Sequence, residues 1–120
     1  MPTYEEGSFK KRFTLQQRTI ESKRIKDKYP GRIPIIVEQN KHSGLPDIVK
    51  HKFLVPNDLT VGQFNYVIRK RISLKPEKGL YIFFGTRFIN ISDTLEVIYD
   101  KSKNKDGFLY CTVTGESTFG

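Results

Sequence analysis

The chain has 120 residues, with 21 Lys and Arg against 13 Asp and Glu, nine Phe, six Tyr and one Cys. That length suits one domain with its own core, the aromatic content argues against a disordered chain, and no apolar run approaches the roughly 20 residues of a spanning helix. One Cys excludes an internal disulfide framework or a Cys-built zinc site and makes a reducing compartment the default, while MPTYEEGSFKKRF lacks the apolar stretch of a secretory signal.

The net charge of +8 is unevenly spread. Residues 1–75 carry 16 basic and 7 acidic side chains, and residues 76–120 carry 5 and 6. A basic first two-thirds attracts something acidic: nucleic acid, anionic lipid or an acidic protein segment. Charge alone leaves all three open.

In chain order, Thr14 and Gln17 have capping-box spacing and open a mostly polar helical stretch that ends before Pro30 and Gly31. Phe9, Phe13, Ile20 and Ile25 give this segment a thin apolar stripe, expected to dock on the domain. IPIIV (33–37) is β-branched and nearly all apolar, as a central strand is. A loop rich in turn residues follows over 38–47, then KFLVP (52–56), whose final Pro suits an edge strand. Thr60 and Gln63 form a second capping box, and Val61, Phe64, Val67, Ile68 and Ile72 recur at helical spacing behind it.

LYIFF (80–84) reads as a buried strand, which Gly85 and Thr86 could turn into RFINI (87–91) as a short hairpin. Ser92 and Asp93 are placed to cap a short helix around 95–99; 101–106 reads as a polar turn, and FLYCTV (108–113) as the last strand. The polar remainder, TGESTFG, has no partner strand to join. Two helical segments followed by β-β-α-β-(β)-α-β predict an α+β fold, a ubiquitin-like β-grasp roll with two additional N-terminal helices. One domain is expected, with a helical extension over 1–29, a core over 30–114 and a flexible tail over 115–120.

Catalytic chemistry finds little support. His42 and His51 are the only histidines; with no Cys or paired carboxylates near them they read as solvent-exposed rather than as metal ligands. Cys111 alternates with Leu109 and Val113 on one strand face, as a small core residue does. There is no phosphate-cradling Gly loop, nucleophile elbow or zinc-protease motif. The expectation is a binding or modifier domain, not an enzyme, with no cofactor and no metal.

KYPGRIPIIVE (28–38), KFLVPNDLTVGQF (52–64), YVIRKRISL (66–74), DGFLY (106–110) and TFG (118–120) carry a resemblance over nearly the whole chain. They resemble the autophagy-related ubiquitin-like modifier family, that of fungal autophagy-related protein eight and the animal GABA-receptor-associated protein. The departures are GTRFINIS (85–92), where the family has an Asn-rich, Pro-containing turn, and residues 112–114. The resemblance implies that Gly120 is activated, passed to a conjugating enzyme as a thioester, and amide-linked to phosphatidylethanolamine. It also implies recruitment of receptors and adaptors with an aromatic-x-x-aliphatic motif, and a cysteine protease for processing and delipidation. The implied location is the cytoplasm and, once lipidated, the autophagosome membrane and the vacuole or lysosome.

The short edge strand at 52–56 fits that expectation, since an extended peptide adds to such an edge through its backbone and drops alternate side chains into pockets. By resemblance, the aromatic anchor's pocket is Glu21, Ile25, Pro34, Ile36, Lys50, Lys52, Leu54 and Phe108. The aliphatic anchor's pocket is Phe53, Val55, Pro56, Leu59, Val61, Phe64 and Val67. Arg32, Arg69 and Arg71, with Lys50 and Lys52, suit acidic residues flanking the motif. The basic cluster of Lys10, Lys11 and Arg12 with Lys23, Arg24, Lys26 and Lys28 suits anionic lipid, the acidic surface of a microtubule or, equally, a solubilising role alone. Two alternatives stand beside this reading: a basic nucleic-acid-binding domain, and a ubiquitin-like module that is never conjugated. Against the first, the aromatics fall at core spacing without an RNP-like motif, so no nucleic-acid partner is expected.

Overall fold

Strand β1 runs over Arg32–Gln39, and every residue after Arg32 is buried. A strand buried on both faces has to lie inside a sheet that is covered on both sides. In the computed structural model, which describes residues 7–40, 44–48, 50–85 and 89–115, β1 has that place. It pairs antiparallel with β2 (Lys52–Pro56) and parallel with the last strand, Leu109–Thr114. That last strand, β4, pairs antiparallel in turn with β3 (Tyr81–Phe83), so the sheet order is β2-β1-β4-β3.

Ile33, Ile35 and Val37 of β1 face the same way as Phe53 and Val55 of β2 and Leu109, Cys111 and Val113 of β4. Helix α3 (Val61–Arg71) covers this face with Val61, Phe64 and Ile68, joined by Leu95 and Ile98 of α4 (Leu95–Ser102). The opposite face carries Ile36, Phe108, Leu54 and Tyr110; Phe9 of α1 (Ser8–Arg12) and Ile25 of α2 (Leu15–Lys28) lie over it. Both capping boxes form: Thr14 with Gln17 starts α2, and Thr60 with Gln63 starts α3. This is the expected roll, with two helices added on the second face.

Several expectations are corrected. Ile20 is 61% exposed and Phe13, though its ring packs against Phe9, is partly exposed; the face α2 turns inward is Arg18, Ser22 and Ile25. Arg18 Nη1 donates to Asp106 Oδ2 at 2.7 Å, and Ser22 Oγ donates to the Asp106 carbonyl. Asp106 also accepts from the Tyr110 hydroxyl and, through Oδ1, from the Phe108 N–H at 2.8 Å. The stretch 101–106 is therefore not simply a polar turn: α4 runs to Ser102, and Asp106 is buried as the anchor of the α2 cover.

β3 is a three-residue edge rather than a buried strand, with Tyr81 51% and Phe83 52% exposed. It has β4 on one side and turns only Ile82 toward the core. Of the hairpin partner at 87–91, residues 87 and 88 lie outside the described residues, as does Thr86 of the turn, and 89–91 form no strand. Ile91 is exposed, and its carbonyl accepts the Gly62 N–H at 2.9 Å, so this loop closes on the start of α3. The cap of α4 is Thr94, whose hydroxyl accepts from Val97 N–H; Asp93 instead accepts the Asn90 N–H. His51 is half-buried rather than exposed, and His42 lies outside the described residues. Residues 116–120 of the tail also lie outside them.

Two backbone positions yield stability predictions. Gly107 has φ +92°, and a Cβ there would run into Ser22 Oγ where α2 meets the Asp106 loop. Gly107→Ala should cost about 2 kcal/mol or more and lower Tm by roughly 6–12 °C in a thermal melt. At the end of α3, the Leu74 N–H bonds the Arg69 carbonyl and the Ser73 N–H bonds that of Lys70, closing a Schellman turn with Ser73 at φ 54°. Ser73→Gly should raise stability by about 0.5 kcal/mol in denaturant titration, because relief of left-handed strain outweighs the entropy Gly adds to the unfolded chain.

Candidate functional site

β2 is the last strand on its side of the sheet, and among the described residues nothing pairs with its outer edge. Pro34 has no N–H, and the Val37 N–H bonds the His51 carbonyl at 2.7 Å. The ladder bonds between β1 and β2 therefore fall on Ile33 with Val55 and Ile35 with Phe53. Lys52 and Leu54 consequently point their backbone N–H and C=O groups outward. The Leu54 carbonyl receives Arg32 Nη1 at 3.2 Å, so a cation from β1 reaches across to the open edge.

One groove, about 690 Å³, follows this strand and is lined by Lys50, His51, Lys52, Phe53, Leu54, Val55, Val67 and Arg71. Phe53 is set by an edge-to-face contact with Phe64, centroids 5.8 Å apart, and the Arg71 guanidinium lies 5.3 Å from its ring centre. Of the residues expected at the aliphatic anchor, Phe53, Val55 and Val67 are brought together here. Phe64 and Val61 stand behind them as core. Pro56 is exposed at the strand's end, and the Leu59 N–H bonds its carbonyl at 3.2 Å as the chain turns toward α3.

A second hollow, about 310 Å³, lies between the N-terminal helices and β2 and is lined by Phe9, Phe13, Gln17, Arg18, Glu21 and Lys52. Glu21 and Lys52 meet across it at 3.2 Å, and Arg24 bonds the same Glu21 oxygen, Oε1, at 2.7 Å. The Arg24 hydrogen bond, with Lys52 adding to it, keeps the Glu21 carboxyl below the usual carboxylate range against a smaller opposing effect of burial. Of the remaining aromatic-anchor residues, Ile25, Pro34, Ile36 and Phe108 are buried beneath, Leu54 is half-buried, and Lys50 opens to the first groove.

Phe9, Phe13, Gln17 and Arg18 line this hollow although the sequence reading did not place them at the candidate site. Counting helical turns from the Thr14 cap puts Arg18 and Ser22 on one face, but a polar inward face looks like a solvated one until Asp106 is seen opposite. Phe9 is positioned by Glu38, whose carboxylate accepts the Gly7 N–H at 3.1 Å and the Phe9 N–H at 2.9 Å. Of the cations assigned to acidic flanks, Arg32 lies at the β2 edge and Arg71 over Phe53. Arg69 donates to the carbonyls of Lys75 and Pro76 and braces the loop after α3.

His51 lines the groove with its ring against Phe9, centroids 5.6 Å apart. Burial, then the nearby Lys52 and Arg12 charges, push its pKa down to about 4. Cys111 is buried in the core and its thiol is pushed up by that burial, so it holds no thiolate near neutral pH. Among the described residues no His, Cys, Asp or Glu cluster is arranged to hold a metal ion, and no helix is long and apolar enough to cross a membrane.

The family described as "Autophagy protein Atg8 ubiquitin like" matches residues 17–120. Autophagy-related protein 8c of Arabidopsis thaliana is 52% identical over 114 residues, 95% of this chain and 96% of the relative. Autophagy-related protein 8 of Vanderwaltozyma polyspora is 49% identical over 114 residues, 95% and 97% of the two chains. The crystal structure of Trypanosoma brucei ATG8 superposes with a TM-score of 0.89 at 38% identity, covering 97% of this chain and all of that one. This chain belongs to the Atg8 family of ubiquitin-like autophagy proteins.

Proposed function

We propose that this chain is a ubiquitin-like modifier that is joined through Gly120 to phosphatidylethanolamine and then recruits receptors and adaptors carrying an aromatic-x-x-aliphatic motif. The observation that carries the recruiting role is the outer edge of β2, unpaired among the described residues, with a hollow on each side. An extended peptide bonds to the Lys52 and Leu54 backbone groups as an added strand. Its aromatic anchor enters beside Glu21, Lys52 and Leu54, above Ile25, Pro34, Ile36 and Phe108. Its aliphatic anchor settles against Phe53, Val55 and Val67, with Pro56, Leu59, Val61 and Phe64 forming the surrounding wall. Lys50, Lys52, Arg32 and Arg71 face acidic flanking residues, and Arg69 adds charge from the loop it braces.

Conjugation is the family's chemistry brought to this tail. An activating enzyme adenylates the Gly120 carboxylate with release of pyrophosphate, and a cysteine displaces the adenylate as a thioester. The amine of phosphatidylethanolamine then displaces the thiol and leaves an amide. A cysteine protease of the same pathway processes and delipidates the product. The lipid carries the protein to the autophagosome membrane and on to the vacuole or lysosome, and the chain itself performs no catalysis.

Gly120→Ala should fold as the parent does and yield no lipid adduct. The check is mass spectrometry after incubation with activating and conjugating enzymes, ATP and phosphatidylethanolamine liposomes. An adduct at the parent's level contradicts the role of Gly120.

For the groove, the test is titration of an acidic Trp-x-x-Leu peptide. Burying one large apolar side chain is worth about 1.5–3 kcal/mol, so Phe53→Ala and Leu54→Ala should each weaken binding roughly tenfold or more. Phe53 also supports the core through Phe64, so circular dichroism and melts must show each variant folded. Lys52→Ala should weaken binding more at low ionic strength than at high. Unchanged affinity in folded Phe53→Ala and Leu54→Ala variants refutes this surface.

A further inference from the structure

Among the side chains that line the groove along β2, His51 is the one whose unperturbed pKa lies near physiological pH. Its ring is half-buried against Phe9 of α1 and borders the same groove as Lys50, Lys52 and Arg71. The charged groups acting on it among the described residues are Lys52 from its own segment and Arg12 from α1. Arg71 of α3 shares the groove, and from β1 Glu38 directs its carboxylate to the N–H groups of Gly7 and Phe9. Burial and the cations of Lys52 and Arg12 oppose a proton on His51.

We propose that His51 is a proton-taking specificity residue: a peptide carboxylate docked along β2 lies against its ring, and the peptide binds together with one proton. The proposal rests on the reading of this groove as a peptide site. The proton comes from hydronium or buffer acid and stays on a ring nitrogen. The neutral ring offers one N–H and one acceptor nitrogen, whereas the imidazolium offers two donors to a carboxylate. Burial, and after it the Lys52 and Arg12 charges, hold the free ring neutral, and the arriving carboxylate offsets those two charges.

The sign follows from linkage. The free ring titrates at about pH 4, and a carboxylate beside it raises that value in the complex. The complex then binds more protons than the free protein at intermediate pH, so affinity rises as pH falls from neutral through the complex's pKa. The gain ends near pH 4, where the free ring is also protonated and Asp and Glu side chains begin to neutralise.

The test uses the full chain and two peptides that share a Trp-x-x-Leu motif, one flanked by Asp and one by Asn at the same positions. Affinities are measured at pH 7.5 and 5.5 for the parent and for His51→Gln, and the His51 ring proton is titrated by NMR with and without peptide. A ring that titrates at or above about pH 6 in the complex tightens Asp-peptide binding by about fourfold or more between these pH values. The expected result is that gain for the parent with the Asp peptide alone, a less than twofold change for His51→Gln, and an upward shift of the ring's titration in the complex. Equal pH dependence in parent and His51→Gln overturns the proposal, as does an unshifted ring titration in a saturated complex, and in either case the peptide-site reading survives. Failure of the parent to bind either peptide at both pH values overturns that reading and the proposal with it.

Discussion

The rest of the structure follows from the burial of β1 on both faces. Ile33, Ile35 and Val37 require a cover on one side, and Ile36 requires one on the other. An amphipathic helix can cover only one face, so α3 and α4 serve the first and α1 and α2 the second. With β4 and β3 on one flank of β1 and β2 alone on the other, the outer edge of β2 is left unpaired among the described residues. The candidate site is thus the border of a sheet whose faces are both in use.

The second cover is held differently from the first. Helix α3 packs through Phe64 and Ile68, whereas α2 turns one buried Ile inward alongside Arg18 and Ser22. A buried ion pair adds little net stability over an apolar pair, yet removing one partner leaves an uncompensated charge at a cost of roughly 3–5 kcal/mol. Arg18 and Asp106 therefore specify where α2 sits more than they hold it down. Glu38 does the same for α1 by accepting two of its N-terminal N–H groups. Since Phe9 and Glu21 ride on these helices, the polar anchors position one wall of the site.

Open strand edges invite indiscriminate pairing, and proteins blunt them with cations and proline. Lys50 and Lys52 at one end of β2, Pro56 at the other and Arg32 on the Leu54 carbonyl have that effect. The same cations lower the cost of docking for a strand that brings its own carboxylates. Protection against promiscuous pairing and the acidic preference proposed for this edge then share one electrostatic origin.

What the sequence determined by itself was local or periodic. The two Thr-x-x-Gln caps, the apolar run at 33–37, the helical spacing from Val61 to Ile72 and the family motifs at 52–64 are each readable within a few residues, because backbone hydrogen bonding and amphipathic burial are short-range rules. Phe53, Leu54 and Val55 were legible as an edge for the same reason. The tertiary structure decided what depends on distant partners. Asp106, 88 residues from Arg18, turns a polar helix face into a buried one, and Tyr81 and Phe83, on the face of β3 opposite Ile82, are exposed despite their composition. Glu38 brings Phe9 over the second face, and Phe9 in turn shields His51. In each case the side chain's polarity is unchanged, and its environment is set by which remote group the fold places against it.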